Sequence, residues 1–349
     1  MRAIAVFQMV QGHTIAVFLS EELRNTDLPV YAVWYFLRGM TAPIFMFTAG
    51  TVFTYLFKSV KKPFGKNYRV KKGIRRAFLL IFLGYLLRYP TWKVLDFSEV
   101  TSEQWQAFIT VDVLQLIGVS LLILLFILFV IEKLNLKYTI SFIVSSTIIF
   151  LLAPFIETIS WNSFLPAPLA AYFYSGSGSL FPLFPFAGYV IAGGVLGCYL
   201  AQNPMVFKTS RFSSILAIYG AAFTLIALLS VLILKAYQIQ IIDPQAEPNT
   251  ILFRMGFVLL LTAIVSYISL KVNTIPHLLI LAGRNTLLIY VVHIVILYGS
   301  AWSPGLDIVW GYSFSGSQSF GAAVIMITLM TFMVLGIHRL KIHNKELET

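Results

Sequence analysis

Along this chain, apolar runs of about 15 to 28 residues alternate with short polar segments. A membrane-spanning helix needs about 20 mainly apolar residues. On that rule helices are predicted near Ala3–Ser20, Val30–Phe57, Ile74–Tyr89, Val111–Ile131 and Tyr138–Phe155. Five more are predicted near Phe181–Ala201, Ser214–Leu234, Ile251–Leu270, Pro276–Gly299 and Gly321–Leu335. The third is short. The ninth reads either as one span or as an interfacial piece followed by a span after Gly283-Arg284, which sets the count between nine and eleven. The expected architecture is all-α: a polytopic transmembrane helix bundle of about ten spans, one domain over residues 1–349. No internal repeat is visible, so nothing points to the duplicated halves common in secondary transporters.

Composition agrees. Hydrophobic residues make up 58%, charged residues 11%, and the mean hydropathy is +0.85. Soluble domains are usually about 45–50% apolar and about 25% charged. Cys198 is the sole cysteine, which rules out a disulfide within the chain and makes a cysteine-based metal site untenable. No metal is expected. Gln8, Gln11 and His13 interrupt the first apolar run, so it reads as a retained helix rather than a cleaved signal.

The net charge of +11 is placed for topology rather than for nucleic acid. Nine of the 25 basic residues fall between Lys58 and Arg76, between two apolar segments, as the positive-inside rule expects of a cytoplasmic loop. Attraction of anionic lipid headgroups or a nucleotide phosphate to that face is the other reading. If this loop is cytoplasmic, so are Lys133, Lys137, Lys208, Arg211, Lys271 and the tail with Arg339, Lys341 and Lys345, and both termini. Arg24, Arg88 and Lys93 then lie outside, with Lys235 and Arg254 at helix ends. The longest outer segments are Pro90–Thr110 and Glu157–Leu180. The latter holds Ser175-Gly176-Ser177-Gly178-Ser179 beside Tyr172, Phe173 and Tyr174, which reads as a flexible linker or as an aromatic platform for a sugar.

Ionisable side chains within spans cost at least about 2.5–3.5 kcal/mol on insertion scales, so each needs a reason. His13 lies roughly 16 Å along the first helix from Arg2 and shares its face. It reads as a neutral histidine bonded to a neighbouring helix or as a general base. Arg38 either snorkels to the outer surface or faces the interior as an electrostatic clamp on a carbonyl or carboxylate. Asp112, with Gln115 one turn on, either complements the fourth helix's dipole or orients His13 or pairs with Arg38. Arg284 is expected at the inner surface. It is about half a turn out of phase with His293, so on a straight helix the two serve separate ends of a long ligand. His277, His338 and His343 lie at or beyond the inner interface and receive no role. The result is an outer polar layer of His13, Arg38, Asp112, Gln115 and His293, and an inner layer of Arg284 and the basic loops.

Several segments carry a resemblance. Arg2-Ala3-Ile4-Ala5-Val6 leading to Gln11-Gly12-His13-Thr14, and Arg38-Gly39 followed by Thr41-Ala42-Pro43-Ile44-Phe45-Met46-Phe47 and Gly50, are two of them. Asp112-Val113-Leu114-Gln115-Leu116-Ile117-Gly118, Leu180-Phe181-Pro182-Leu183-Phe184-Pro185 with Gly188, and Gly283-Arg284-Asn285 with Tyr290 and His293 are the others. In this order they resemble the membrane acyltransferases related to heparan-α-glucosaminide N-acetyltransferase, and the first is also similar to that of bacterial membrane sugar O-acyltransferases. Ala3 stands where those proteins often carry glycine. They usually have a short polar segment ahead of the arginine, so the start codon is expected upstream of Met1.

The resemblance implies a membrane enzyme, expected in a bacterial inner membrane, that uses cytoplasmic acetyl-CoA or another acyl-CoA. The acyl group passes to a glycan amine or hydroxyl at the outer face. His13 becomes the catalytic base or a transient acyl carrier, with Arg38 and Asp112 shaping the acceptor end. Gln115 and His293 are the accompanying substrate-binding positions. Arg284, with Asn285, becomes the candidate for CoA phosphates. Membrane lipid, acyl-CoA and a glycan acceptor are the expected partners, nucleic acid is not, and a homodimer is compatible with such bundles. The alternative from a different class is a transporter or flippase of a glycan or lipid intermediate, which needs the same polar interior without thioester chemistry.

Overall fold

A computed structural model describes residues 1–236 and 245–347. The side chains of Lys235, His343 and Lys345, assigned above to interfaces, lie outside the described set. The helices are, in order, α1 (Arg2–Phe18), α2 (Pro29–Gly39), α3 (Thr41–Ser59), α4 (Tyr68–Leu87), α5 (Ser102–Ile109), α6 (Val113–Lys133), α7 (Tyr138–Glu157) and α8 (Ala167–Ala170). They continue with α9 (Leu183–Gln202), α10 (Ser210–Ala236), α11 (Pro248–Lys271), α12 (His277–Arg284), α13 (Thr286–Tyr298), α14 (Asp307–Trp310) and α15 (Gly316–Leu347). Among the described residues seven helical stretches are long and apolar enough to cross a membrane, or eight if the bent pair α12 and α13 counts as one. The protein is an all-α integral membrane protein. Two predicted spans are helices outside that set, for plain reasons. α1 has 17 residues, and the first half of α4 carries Arg69, Lys71, Lys72, Arg75 and Arg76.

The predicted second span divides at Met40 into α2 and α3. Pro43 has no N–H to give the Gly39 carbonyl, so the ladder is interrupted there. The predicted ninth span takes its broken form, α12 and α13 being bent by 75°. At the break the Leu281 carbonyl accepts twice from Asn285, from its backbone N–H at 3.0 Å and from its side-chain Nδ2 at 2.9 Å.

The chain forms two compact units: Met1–Thr41 with Thr91–Asp96 and Val272–Thr349, and Ala42–Pro90 with Phe97–Lys271. In the first, α1 packs against α12, α13 and α15, burying Ala5, Val6, Met9, Val10 and Val17. Residues 299–315 return over the end of α1. Tyr312 N donates to Val17 O at 2.9 Å, Phe314 N to Phe18 O at 2.8 Å and Ser20 N to Phe314 O at 2.9 Å.

In the second unit α9 is the central helix, packed by α6 and α7 and buried almost continuously from Pro185 to Gly194. Its glycines make this possible. A Cβ at Gly193 would stand 2.0 Å from the Phe47 carbonyl oxygen, and one at Gly197 2.4 Å from that of Thr51. The spacing Gly193-x-x-x-Gly197 thus brings α9 and α3 backbone to backbone, as membrane helices do where small residues permit it. The basic loop after α3 is ordered. Phe64 N donates to Glu132 Oε2 at 2.6 Å, Tyr138 Oη to Glu132 Oε1 at 2.9 Å, and Lys58 lies 3.5 Å from the Tyr138 ring centroid.

Candidate functional site

The first unit brings three predicted site residues together. His13 sits in the fourth turn of α1, and Gly12 beside it is what admits Arg38. A Cβ there would stand 3.3 Å from Arg38 Cγ, so the alkyl stem of Arg38 lies along the α1 backbone next to His13. Trp34, one turn earlier on α2, ties that helix to α1, its Nε1 donating to Gln11 Oε1 at 3.0 Å. The Arg38 guanidinium is 5.7 Å from the Trp34 ring centroid, in range of a cation–π contact.

His293 reaches the same place from α13. The His13 and His293 ring centroids are 5.3 Å apart at 74°, Tyr298 lies 5.9 Å from His13, and Tyr290 5.8 Å from His293. His293 is fully buried, with Nδ1 2.7 Å from the Ile289 carbonyl oxygen. A carbonyl only accepts, so Nδ1 carries the proton and Nε2 presents its lone pair. That Nε2 and the His13 Nδ1 are buried without a hydrogen-bond partner. Buried polar atoms are almost always paired. Two unpaired ring nitrogens on facing helices, flanked by an arginine stem and a tyrosine ring, therefore make the strongest candidate centre among the described residues.

Arg284 and Asn285 lie elsewhere in that unit. Arg284 is exposed at the end of α12, and Asn285 spends its amide on Leu281. The 75° bend means that Arg284 and His293 do not share one straight helix, yet Arg284 still stands roughly a dozen ångströms along the chain axis from His293. Gly283 packs against the start of α1, a Cβ there lying 3.8 Å from Arg2 Cβ, so Arg2 and Arg284 belong to one basic end.

Asp112 and Gln115 belong to the second unit, where they begin α6. Asp112 is its N-cap and forms a capping box with Gln115, the Asp112 N–H donating to Gln115 Oε1 at 3.3 Å. The ion-pair partner of Asp112 is Arg88, at 3.0 Å. Gln115 is fully buried in a notch left by Gly84, where a Cβ would stand 2.3 Å from its Oε1. Its Nε2 is buried without a partner.

The Ser-Gly stretch beside this start is not a loose linker. Ser175 bonds Glu157 through both its backbone N–H and its hydroxyl, and Val111 N donates to Ser179 Oγ at 3.1 Å. The neighbouring aromatics are engaged in packing. Trp161 stacks on Phe173 at 4.7 Å, and the Tyr172 and Tyr85 hydroxyls share a hydrogen bond of 3.0 Å. Burial, with that bond, holds the Tyr172 phenol above its ordinary pKa.

The sequence singles out neither Tyr298 nor the loop after it: Tyr298 is an uncharged residue at the end of a predicted span, and the loop holds a single charge, Asp307. The Arg88–Asp112 pair had a signal, opposite charges at the ends of consecutive predicted spans. Among the described residues no three His, Cys, Asp or Glu side chains come together as metal ligands.

Compared with known proteins, the chain matches no curated protein. The family model described as heparan-alpha-glucosaminide N-acetyltransferase, catalytic, matches residues 1–242. The match takes in His13, Arg38, Asp112 and Gln115, and stops short of Arg284, Asn285 and His293. With most of its length covered, the chain belongs to this family of membrane acetyltransferases.

Proposed function

We propose that the protein moves an acetyl or other acyl group from acyl-CoA, bound at the basic cytoplasmic end, to an amine or hydroxyl of a glycan at the outer face. In this reading both termini are cytoplasmic and the membrane is a bacterial inner membrane. The observation that carries it is the pair of unpaired ring nitrogens on His13 and His293 beside Arg38.

His13 accepts the proton of the acceptor O–H or N–H as that atom bonds to the thioester carbonyl carbon. The C–S bond then breaks, and the CoA sulfur takes the proton back from the imidazolium. The Arg38 guanidinium steadies the carbonyl oxygen while it carries negative charge. His293 Nε2, fixed as an acceptor by the bond from Nδ1 to Ile289, accepts from a second N–H or a neighbouring O–H of the acceptor and so turns the reacting one towards His13. Arg284, with Asn285 shaping the break behind it, offers its exposed guanidinium to CoA phosphates. Asp112 and Gln115 hold the start of α6 as positioning residues.

The test is acceptor-dependent release of CoA by the purified protein, together with thermal shift by acetyl-CoA for the parent, His13→Ala and Arg284→Ala. The reading expects stabilisation of the parent and of His13→Ala, weaker stabilisation of Arg284→Ala, and no turnover by His13→Ala. Movement of a glycan across the membrane without covalent change, and no stabilisation by any acyl-CoA, would establish the transporter alternative instead.

A further inference from the structure

The loop that closes over α1 is unusual for a segment at the edge of a membrane protein. From Gly299 to Ser315 the only charged residue is Asp307, and Asp307 Oδ1 accepts from the N–H of Ile308 at 2.9 Å. Several of its apolar side chains are exposed, whereas Phe314 stacks on Phe18. Ile308 is 74% exposed and Val309 68%, with Trp310 and Tyr312 also exposed. Leu95, 88% exposed, belongs to the short segment Thr91–Asp96, which is tied to this loop where Trp302 Nε1 donates to the Trp92 carbonyl at 3.1 Å.

The loop is not loose. Leu306 N donates to Ile296 O at 3.0 Å, Tyr312 N to Val17 O and Phe314 N to Phe18 O, so α13 and α1 hold it from both sides. Beyond the exposed Ser315, Ser317 and Gln318, the flank of α15 likewise exposes Phe320, Val324 and Ile325. On a membrane-spanning helix that flank is covered by lipid. The loop is rigid, carries one charge of its own and is joined to that flank by a short serine-rich turn, and its exposed Trp and Tyr are the side chains that favour the membrane interface.

The cap also lies close to the candidate centre. It bonds the backbone of Val17 and Phe18, and His13 is only five residues earlier on α1, about 7.5 Å along the helix.

We propose that loop 300–314 together with Leu95 forms a lipid-inserted cap over the His13 end of the first unit, and that the acceptor enters laterally from the bilayer as an amphiphile, a glycan on a hydrocarbon anchor. The second half rests on the acyltransfer reading above. An anchored acceptor lies in the same interfacial layer as the cap, whereas a free sugar must leave water to pass beneath it.

The test uses full-length protein in lipid nanodiscs. Spin labels are attached at Ile308→Cys, Val309→Cys and, as an aqueous control, Lys62→Cys, and collision with oxygen is compared with collision with a water-soluble nickel chelate. The native Cys198 is fully buried and contributes little labelling. In parallel, acetyl transfer is compared between dodecyl glucosaminide and free glucosamine. Labels at 308 and 309 that favour oxygen while that at 62 favours nickel, with kcat/KM at least tenfold higher for the dodecyl compound, are the expected results. Nickel-accessible labels at 308 and 309 would overturn the cap. Inserted labels with equal use of both sugars would overturn the lateral route. Transfer to neither sugar would overturn the lateral route together with the acyltransfer reading, while the spin labels still decide the cap.

Discussion

His13 on α1 and His293 on α13 face each other with ring centroids 5.3 Å apart, and only His293 has its tautomer set by the backbone, through Ile289. In the proposed mechanism this asymmetry gives different work to two residues of one type. His293 is fixed as an acceptor, and His13 is the residue proposed to take and return a proton. Replacing His13 by alanine is expected to lower turnover by about 10²–10⁴-fold, the usual contribution of a general base. Replacing His293 by glutamine, which can still accept a hydrogen bond, should cost much less than His293→Ala. Steady-state rates of CoA release for the three variants check this, and equal losses for His293→Gln and His293→Ala would remove the hydrogen-bonding role.

Gly12 is the seat of the Arg38 stem. Valine at this position should push the stem aside while leaving His13 in place. The expected outcome is a lower kcat with acetyl-CoA stabilisation retained, whereas Gly12→Ala, which needs a shift of only a few tenths of an ångström, should be milder. Paired kinetics and thermal shift separate the two.

Asp112 combines a helix cap with an ion pair, and these contributions can be divided. Asparagine caps about as well as aspartate but carries no charge, so Asp112→Asn should lose only the Arg88 pair. Both side chains are about a quarter exposed, so that loss is expected near 0–1 kcal/mol. Asp112→Ala loses the cap as well and should cost about 1 kcal/mol more. Thermal unfolding in detergent gives the order parent, Asp112→Asn, Asp112→Ala.

Where α9 meets α3, backbone meets backbone. A side chain at Gly193 or Gly197 would run into carbonyl oxygens of Phe47 or Thr51, which cannot rotate away as a side chain can. Gly193→Val is expected to destabilise by at least the upper end of about 1–3 kcal/mol, and to lower the yield of folded protein. Gly321→Val, at a glycine with open space around it, is the control and should unfold near the parent temperature.

The α12–α13 break depends on Asn285. Asn285→Leu removes the side-chain bond to the Leu281 carbonyl and favours continuation of the helix. In the proposed donor site this should weaken stabilisation by acetyl-CoA about as much as Arg284→Ala does. Unchanged stabilisation would place the CoA phosphates elsewhere.

The amino-acid sequence by itself determined the solvent, the helical class and the family-bearing segments, because these depend on local composition. A run such as Val113–Ile131 has no aqueous alternative, and a nearly uncharged span can satisfy its backbone only within itself. The break after Gly283-Arg284 was legible for a related reason, since polar residues interrupting an apolar run are a local event. The division at Met40 had its own local sign in Pro43.

Only the tertiary structure decided which polar groups share a neighbourhood. Arg38 and His13 meet because Gly12 leaves room, and His293 joins them because α13 packs on α1. Asp112 gives Oδ2 to Arg88 and Oδ1 to the N–H of Val113 at the start of α6. Each side chain had at least two admissible partners at its depth in the membrane. Depth follows from position along a span, whereas the facing partner follows from helix packing, which small residues far apart in the sequence control. The closing loop was invisible for the same reason. Its apolar residues look like the fraying end of a span until the hydrogen bonds of Tyr312 and Phe314 to α1 show what they cover.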